Sequence, residues 1–444
     1  MKIKANYILR IDFILILSTL GLIIVGIFFI YSANITISTG VPITDEYRRQ
    51  IVWGVAGLCL IFTLCFIDFR RLYKISIHLY IATLLILLYT YKWGRVVNGA
   101  RAWIGIGTFG IQPSEFAKIT TILLLARYLD SSRQNSTSFF RFLVSCIIAL
   151  VPMGLILIQP DFGTSLVFIP ILLLMTFIAG VSMRYIVFVI ALITLTSFFT
   201  VMPLVQSYIL KTAIPVFEMF SNTTITLITS GALAVILLCA LAGLAFSRKQ
   251  YFFWIAYCSA ISSLSLGSSF LVRKILKEYQ LKRLIVFLDP NVDPQGAGWN
   301  IKQSMTAIGS GGFWGKGYLN GTQSHYQFLP QQSTDFIFSI FAEESGFVGG
   351  AFVFSLFLLI CLRLIRIAKI TVDPFGRYIS AGLAAVYIFH FTINVGMTMG
   401  IMPITGIPLF FMSYGGSALL SSMLGIGLAM SIYIRRFERS LYND

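Results

Sequence analysis

The sequence predicts an all-α, polytopic integral membrane protein of about twelve transmembrane helices. Three observations carry that expectation. Of the 444 residues, 57% are hydrophobic and only 11% are charged, whereas a soluble domain carries about 25% charged residues. The apolar residues gather in about twelve runs of roughly the 20-residue length that spans a hydrocarbon core. The Lys and Arg residues lie unevenly on the connections between those runs, as expected if basic residues collect on the cytoplasmic side.

The runs lie near 13–33, 51–69, 75–91, 113–129, 140–158, 162–180, 184–204, 225–246, 252–272, 335–362, 376–402 and 406–434. The first is long and lacks a small-residue cleavage site, so it is expected to stay as the first span. A formal net charge of +16 would suggest a nucleic-acid partner on a soluble chain. Here it reads as topology. With the N-terminus inside, the inner segments hold Lys2, Lys4 and Arg10; Arg70, Arg71 and Lys74; Arg127, Arg133 and Arg141; Arg184; Arg248 and Lys249; Arg363, Arg366, Lys369 and Arg377; and Arg435, Arg436 and Arg439. That is 19 of the 33 basic residues; 13 fall outside, seven of them in one long outer loop, and Lys118 lies within a span. The six cysteines all sit in apolar runs without CxxC or Cys/His spacing, which argues against a metal or haem signature and for buried thiols acting as small apolar groups.

Three outer segments are long: 34–50, 92–112 and 273–334. The last is rich in Gly, Gln, Asn and Pro yet also carries Phe, Trp and Leu, which suits an ordered loop lying on the membrane. Among only 17 acidic residues, four clusters could carry chemistry. Glu115 and Lys118 follow Pro113-Ser114, a plausible helix start, and their i, i+3 spacing places both charges on one helix face. Charges at membrane depth are costly and mark function; a shallow pair holding helices together is the plainer reading. In the long loop, Lys282-Arg283 precede Asp289-Pro290 and Asp293-Pro294. Proline fixes the local backbone and can aim a carboxylate, although aspartates before prolines are more often turn formers. Asp335 is expected to cap the tenth span, and at least one of Glu343 and Glu344 should face the protein interior. The run from Asn394 to Ser417 is studded with Gly and Pro, which predicts a broken helix and close backbone approach; His390, one turn before Asn394, reads as a satisfied interhelical contact.

Five segments in this order resemble the SEDS family (shape, elongation, division and sporulation) of cell-wall polymerases: NGARAWIGIGTFGIQPSEFAK (98–118), QPDFGTSLVF (159–168), FLDPNVDPQGAGWNIKQSMTAIGSGGFWGKG (287–317), FLPQQSTDFIFSIFAEESGFVG (328–349) and NVGMTMGIMPITGIPLFFMSYGGS (394–417). GTQSHYQFLP (321–330) is closer to the rod-elongation type than to the division type. The resemblance implies a single membrane domain over 1–444 at the bacterial inner membrane, with both termini cytoplasmic. It implies an inverting glycosyltransferase that polymerises lipid II into β-1,4 glycan strands, releases undecaprenyl pyrophosphate and works with a class B penicillin-binding transpeptidase. Carried over position by position, the essential aspartate is Asp293, and the Glu and Lys of the fourth span are Glu115 and Lys118. Inversion needs one general base to take a proton from the attacking hydroxyl, and the leaving pyrophosphate needs positive charge. Arg49, Arg101, Lys118 or a divalent cation (Mg or Mn) could supply that charge; the sequence leaves the choice open and demands no cofactor. Gln303 and Ser417 could bond sugar or phosphate.

Two features depart from the family pattern. The family has about ten spans, so 225–272 reads as a two-helix insertion whose even number keeps the long loop outside. Where the family often reads PLPF and SYGGSS, this chain has Phe410 and Ala418. The alternative function is a lipid-linked precursor flippase or transporter, which twelve spans and broken helices also suit, although its key charges should sit near the bilayer midplane rather than at the outer face. A third is a scaffold that recruits the transpeptidase, which would not need Asp293 or Glu115.

Overall fold

The computed structural model describes residues 11–35, 42–97, 99–106, 109–135, 138–210, 222–276, 278–326 and 328–438. Lys2, Lys4, Arg10 and Arg439 of the inner segments, Glu218 and Asp444, and Asn98, Gly107, Thr108 and Gln327 of the family-like segments lie outside them. The chain divides into two compact units, one of residues 1–181 with 302–444 and the other of residues 182–301.

In the first unit, α1 is Phe13–Ala33, α2 Glu46–Phe66 and α3 Arg71–Trp93; strands β1 (Arg95–Val97), β2 (Ala100–Ile106) and β3 (Phe109–Ile111) follow, then α4 (Pro113–Ser131), α5 (Phe139–Ile158), α6 (Phe162–Leu166) and α7 (Phe168–Ile178). The second unit holds α8 (Met183–Val205), α9 (Thr223–Ser247), α10 (Gln250–Ile275), α11 (Glu278–Arg283) and the start of α12 (Ala297–Gly311). The first unit resumes in α12 and continues through α13 (Thr322–His325), α14 (Ile337–Ile370), α15 (Pro374–Thr398) and α16 (Gly416–Ile434). Ten helices among the described residues are long and apolar enough to cross a membrane: α1–α3, α5, α8–α10 and α14–α16. The other two expected runs are helical too, α4 with four charged residues and α6–α7 as a shorter apolar pair. Among the described residues the regular structure is therefore helical apart from the antiparallel sheet β1-β2-β3, which the helix-only expectation missed.

Local chemistry accounts for the helix starts. Pro113 opens α4 at the position where a missing N–H costs nothing. Asp12 caps α1 by accepting from Leu15 N at 3.2 Å, and Asp373 caps α15 by accepting from Phe375 N at 3.0 Å. Asp335 does not take the expected cap position. α14 starts at Ile337 with Phe336 there and no side-chain cap, and the Asp335 carboxylate lies beside Gly406 instead. The last run is also shorter than expected, helical only from Gly416. Pro403 and Pro408 cannot donate a helical bond, and Gly406 and Phe411 have φ of 70° and 68°.

Lipid offers no hydrophobic force between spans, so packing and polar ties hold them, each tie worth about 0.5–2 kcal/mol. At one end of the first unit, Arg363 meets Asp12 with Nε–Oδ2 of 2.7 Å. Arg70 lies 3.4 Å from Asp373 and 3.3 Å from Glu438. Buried Arg141 donates to the Leu129 and Ala179 carbonyls, and Arg435 to that of Cys65. Basic residues assigned to the inner segments by charge alone thus gather at one end.

The opposite end is fastened by two buried carboxylates at a break in α14. Gly346 takes φ 65°, ψ −163° inside the helix, a conformation that glycine adopts without strain. The bonds lost at the break are remade with the preceding loop. Lys316 N and Gly317 N donate to the Glu343 and Glu344 carbonyls at 3.1 and 2.9 Å, and Phe347 N donates to Gly312 O at 3.0 Å. Side chains add to this. Glu343 accepts from Lys316 Nζ at 2.7 Å and from Thr322 N and Gln323 N at 2.8 and 3.0 Å, holding the first turn of α13. Glu344 accepts from Ser32 Oγ and from Leu319 N, the latter at 3.1 Å. Both glutamates face the interior.

In the second unit, α10 packs against α8 and α9. Tyr257 Oη donates to Arg184 O at 2.7 Å and Ser263 Oγ to Ser230 O at 3.0 Å.

Candidate active site

A buried charged cluster lies in the first unit between α4, α15 and α16. Glu115 and Lys118 are each 1% exposed. Lys118 Nζ donates to Glu115 Oε2 at 2.7 Å, so the one-face spacing does produce a pair. Ser421 Oγ on α16 donates to the same carboxylate oxygen at 3.1 Å. His390 on α15 places Nε2 3.1 Å from Lys118 Nζ and Nδ1 3.1 Å from Pro408 O. A carbonyl oxygen only accepts, so Nδ1 carries the ring proton and Nε2 accepts from Lys118. Phe410 stacks on His390 with centroids 3.7 Å apart, and Lys118 Nζ stands 5.1 Å from the Phe410 centroid. The cavity against this group is about 10 Å³, too small for a phosphate. The plainer readings hold for Asn394, whose Nδ2 donates to Ile407 O and Asp335 O at 2.8 and 3.0 Å. The same reading holds for His390, a satisfied contact between α15 and α4 whose partner is Lys118.

Ser417, expected as a substrate contact, is 3% exposed and accepts from Gln112 N at 3.0 Å, fastening the start of α4 to α16. Gln112 Nε2 in turn donates to Asp161 Oδ2 at 2.8 Å. Sequence reasoning missed Gln50. It is fully buried, donates to Ser413 O at 3.1 Å and accepts from Gly415 N at 3.4 Å. Its signal was a lone amide at the head of an apolar run. Arg49, its neighbour, is half-buried, and its guanidinium has no hydrogen-bond or ion-pair partner among the described residues. Arg101 on β2 is exposed and donates to Lys92 O at 3.3 Å. With Lys92, Tyr91, Gly99 and Ile158 it lines an open pocket of about 500 Å³, large enough for an anionic head group. Gln303 lies half-buried on α12.

Asp293 belongs to the second unit. Pro290–Val292 form one 3₁₀ turn between the two aspartates. Asp289 Oδ1 accepts from Asn291 N at 2.9 Å, the turn-forming role expected of it. Asp293 Oδ2 accepts from Ala297 N at 2.8 Å and its carbonyl from Gly298 N at 3.0 Å. The first turn of α12 therefore aims the carboxylate. Oδ1 has no partner among the described residues, and the side chain is only half-buried. Lys282 pairs with Glu278 at 2.9 Å. That bond holds the ammonium above its usual range, and the field of Asp293 adds to it.

The family model FTSW_RODA_SPOVE, described as Cell cycle protein, matches residues 13–224 and 201–438. The "Peptidoglycan glycosyltransferase RodA" of Treponema pallidum (strain Nichols) is 48% identical over 425 residues, covering 96% of this chain and 98% of that protein. The "Peptidoglycan glycosyltransferase MrdB" of Escherichia coli (strain K12) is 31% identical over 412 residues, covering 92% and 90%. A solved structure described as "Structural coordination of polymerization and crosslinking by a peptidoglycan synthase complex" superposes with a TM-score of 0.64 at 26% identity, covering 96% of this chain and 99% of that one. The match runs through every span and through the loop that holds Asp293, so the chain is a polytopic membrane protein of the FTSW_RODA_SPOVE family, as its five ordered segments implied.

Proposed function

We propose that this chain is a peptidoglycan glycosyltransferase that polymerises lipid II at the outer face of the bacterial inner membrane, with Asp293 as its general base. The likeness to proteins named as such over nearly the whole chain carries the reaction class. The Asp293 turn supports the mechanism: one oxygen is anchored by Ala297 N and the other is open. A base must be held within bonding reach of the proton it takes. The attacking sugar hydroxyl gives its proton to Asp293, its oxygen bonds the anomeric carbon from the face opposite the pyrophosphate, and undecaprenyl pyrophosphate leaves with the bonding electron pair. The product is an inverted β-1,4 linkage. Positive charge near the leaving group is worth several kcal/mol in such a step. Among the cations of the first unit, Arg49 and Arg101 have donors to offer to such a group, and Lys118 is held by Glu115 and His390.

The gathering of inner-segment arginines at one end of the first unit supports cytoplasmic termini. We read 225–272 as a two-helix addition to the family's spans. The superposed synthase complex supports a class B penicillin-binding transpeptidase as partner.

The test is glycan polymerisation from lipid II by the purified full chain in detergent, with and without its transpeptidase. The wild type should make polymer, and Asp293→Ala should lose about 10²–10⁴-fold while keeping partner binding. No polymer from wild type, even with the partner, overturns the reading in favour of a flippase or scaffold. Equal polymer from both proteins keeps the enzyme and discards Asp293 as its base.

A further inference from the structure

Lys118 has three N–H groups, and Glu115 accounts for one of them. A lysine held by one carboxylate still swings about four side-chain torsions. The structure supplies a second acceptor on a different helix: His390 Nε2 on α15, 3.1 Å from Nζ. Nothing about His390 is loosely held. It is 1% exposed. Pro408 O fixes Nδ1 as the protonated nitrogen, so that Nε2 has its lone pair toward Lys118. Phe410, the residue at which this chain departs from the PLPF pattern, lies flat against the ring with an interplanar angle of 19°. The ring thus has one tautomer and one orientation, both set by the irregular 403–415 backbone, and both directed at one ammonium.

We propose that His390 is a positioning residue for the Glu115–Lys118 pair, accepting from Lys118 through Nε2 so that the ammonium is fixed between α4 and α15. The inference rests on the polymerase reading and adds a residue to its site. A purely packing role predicts something different. The histidine would then be replaceable by any flat ring, because Phe410 stacking and volume would be all that mattered. A positioning role requires the acceptor at the Nε2 place and tolerates loss of the ring.

Three single variants separate the two. His390→Phe keeps the ring and removes the acceptor. His390→Gln extends an amide oxygen to about the Nε2 place. His390→Asn is equally polar but reaches only the Nδ1 place, toward Pro408. Lipid II polymerisation by the full chain with its transpeptidase is measured at several substrate concentrations, with thermal unfolding in detergent as the control for folding. The expected result is kcat at least 10-fold down in His390→Phe and His390→Asn with KM within about 2-fold, and His390→Gln within about 3-fold of wild type. A fully active His390→Phe, or equal loss in Gln and Asn variants, overturns the proposal. If His390→Phe does not fold, the Gln and Asn pair still decides. An inactive wild type instead counts against the polymerase reading, so the two failures are distinct.

Discussion

Removing Glu115 alone should damage the fold more than removing both members of its pair. In Glu115→Ala, Lys118 is left at 1% exposure without its carboxylate, facing His390 and the Phe410 ring. Breaking a buried pair in this way costs about 3–5 kcal/mol, because a charge is left in a medium that cannot solvate it. At about 2.1 cal/mol/K per residue, a chain of 444 residues then loses about 3–5 °C in its unfolding midpoint. The charge-free double variant Glu115→Leu/Lys118→Met removes the buried charge altogether. It still leaves His390 Nε2 without its donor, a residual cost of about 1–3 kcal/mol, while the Ser421 hydroxyl keeps the Ala418 carbonyl at 3.1 Å. The midpoints in detergent should therefore order as wild type, then double, then single. Polymerisation should be lost in both variants, since the double restores stability without restoring charge. A single variant as stable as wild type would mean that the pair is hydrated and that its burial has been misjudged. A stable double variant with full activity would show that the pair only holds helices together.

Two further outcomes follow from local geometry. A methyl group at Gly298 would overlap the Pro290 carbonyl oxygen and lie 2.5 Å from that of Asp293, so Gly298→Ala must shift the turn that aims the proposed base. A shift of about 1 Å can cost roughly 10²-fold in rate, whereas Gly267→Ala on α10, with open space around it, should leave polymerisation unchanged. His325 stands between two acceptors, the Ile35 carbonyl at 2.9 Å and Glu344 Oε1 at 3.5 Å, and Glu344 foremost raises the imidazole above its ordinary 6.5. A raised value means that stability is fully present below 6.5 and lost as pH climbs through the higher, folded-state value. The gap in unfolding midpoint between wild type and His325→Gln should therefore narrow from about pH 6 to about pH 9; a gap that widens would show that the ring is neutral.

Much of this molecule could be read from its sequence, because span length and charge placement are dictated by the bilayer and not by tertiary detail. The one-face pairing of Glu115 and Lys118 follows from helical period, and the break between Pro403 and Gly415 follows from residues that cannot continue a helix. What escaped was long-range. His390 was legible as an interhelical contact, but its partner was not, because Lys118 lies 272 positions away. The sheet over 95–111 escaped because its strands are short and its exposed edge residues do not alternate cleanly. Asp335 escaped as a cap because α14 begins two residues later, where the turn before it ends.

The bonding state of the polar groups in the irregular segments also separates structure from chemistry. Non-helical backbone beside lipid is tolerated only when its groups are satisfied. Gln50, Asn394, Ser413, Ser417, Glu343 and Glu344 meet that demand: each bonds backbone of an irregular stretch. Groups so engaged cannot also bind a sugar or a diphosphate without opening the fold. Asp293 and Arg49 are different. One carboxylate oxygen and one guanidinium have no partner among the described residues, and both side chains reach solvent. An unengaged charge of this kind contributes little to stability, so selection for stability alone would not keep it. Asp293, the proposed base, and Arg49, a proposed source of positive charge, could each be lost from its own unit at small cost to the fold, so substituting either one tests chemistry rather than stability.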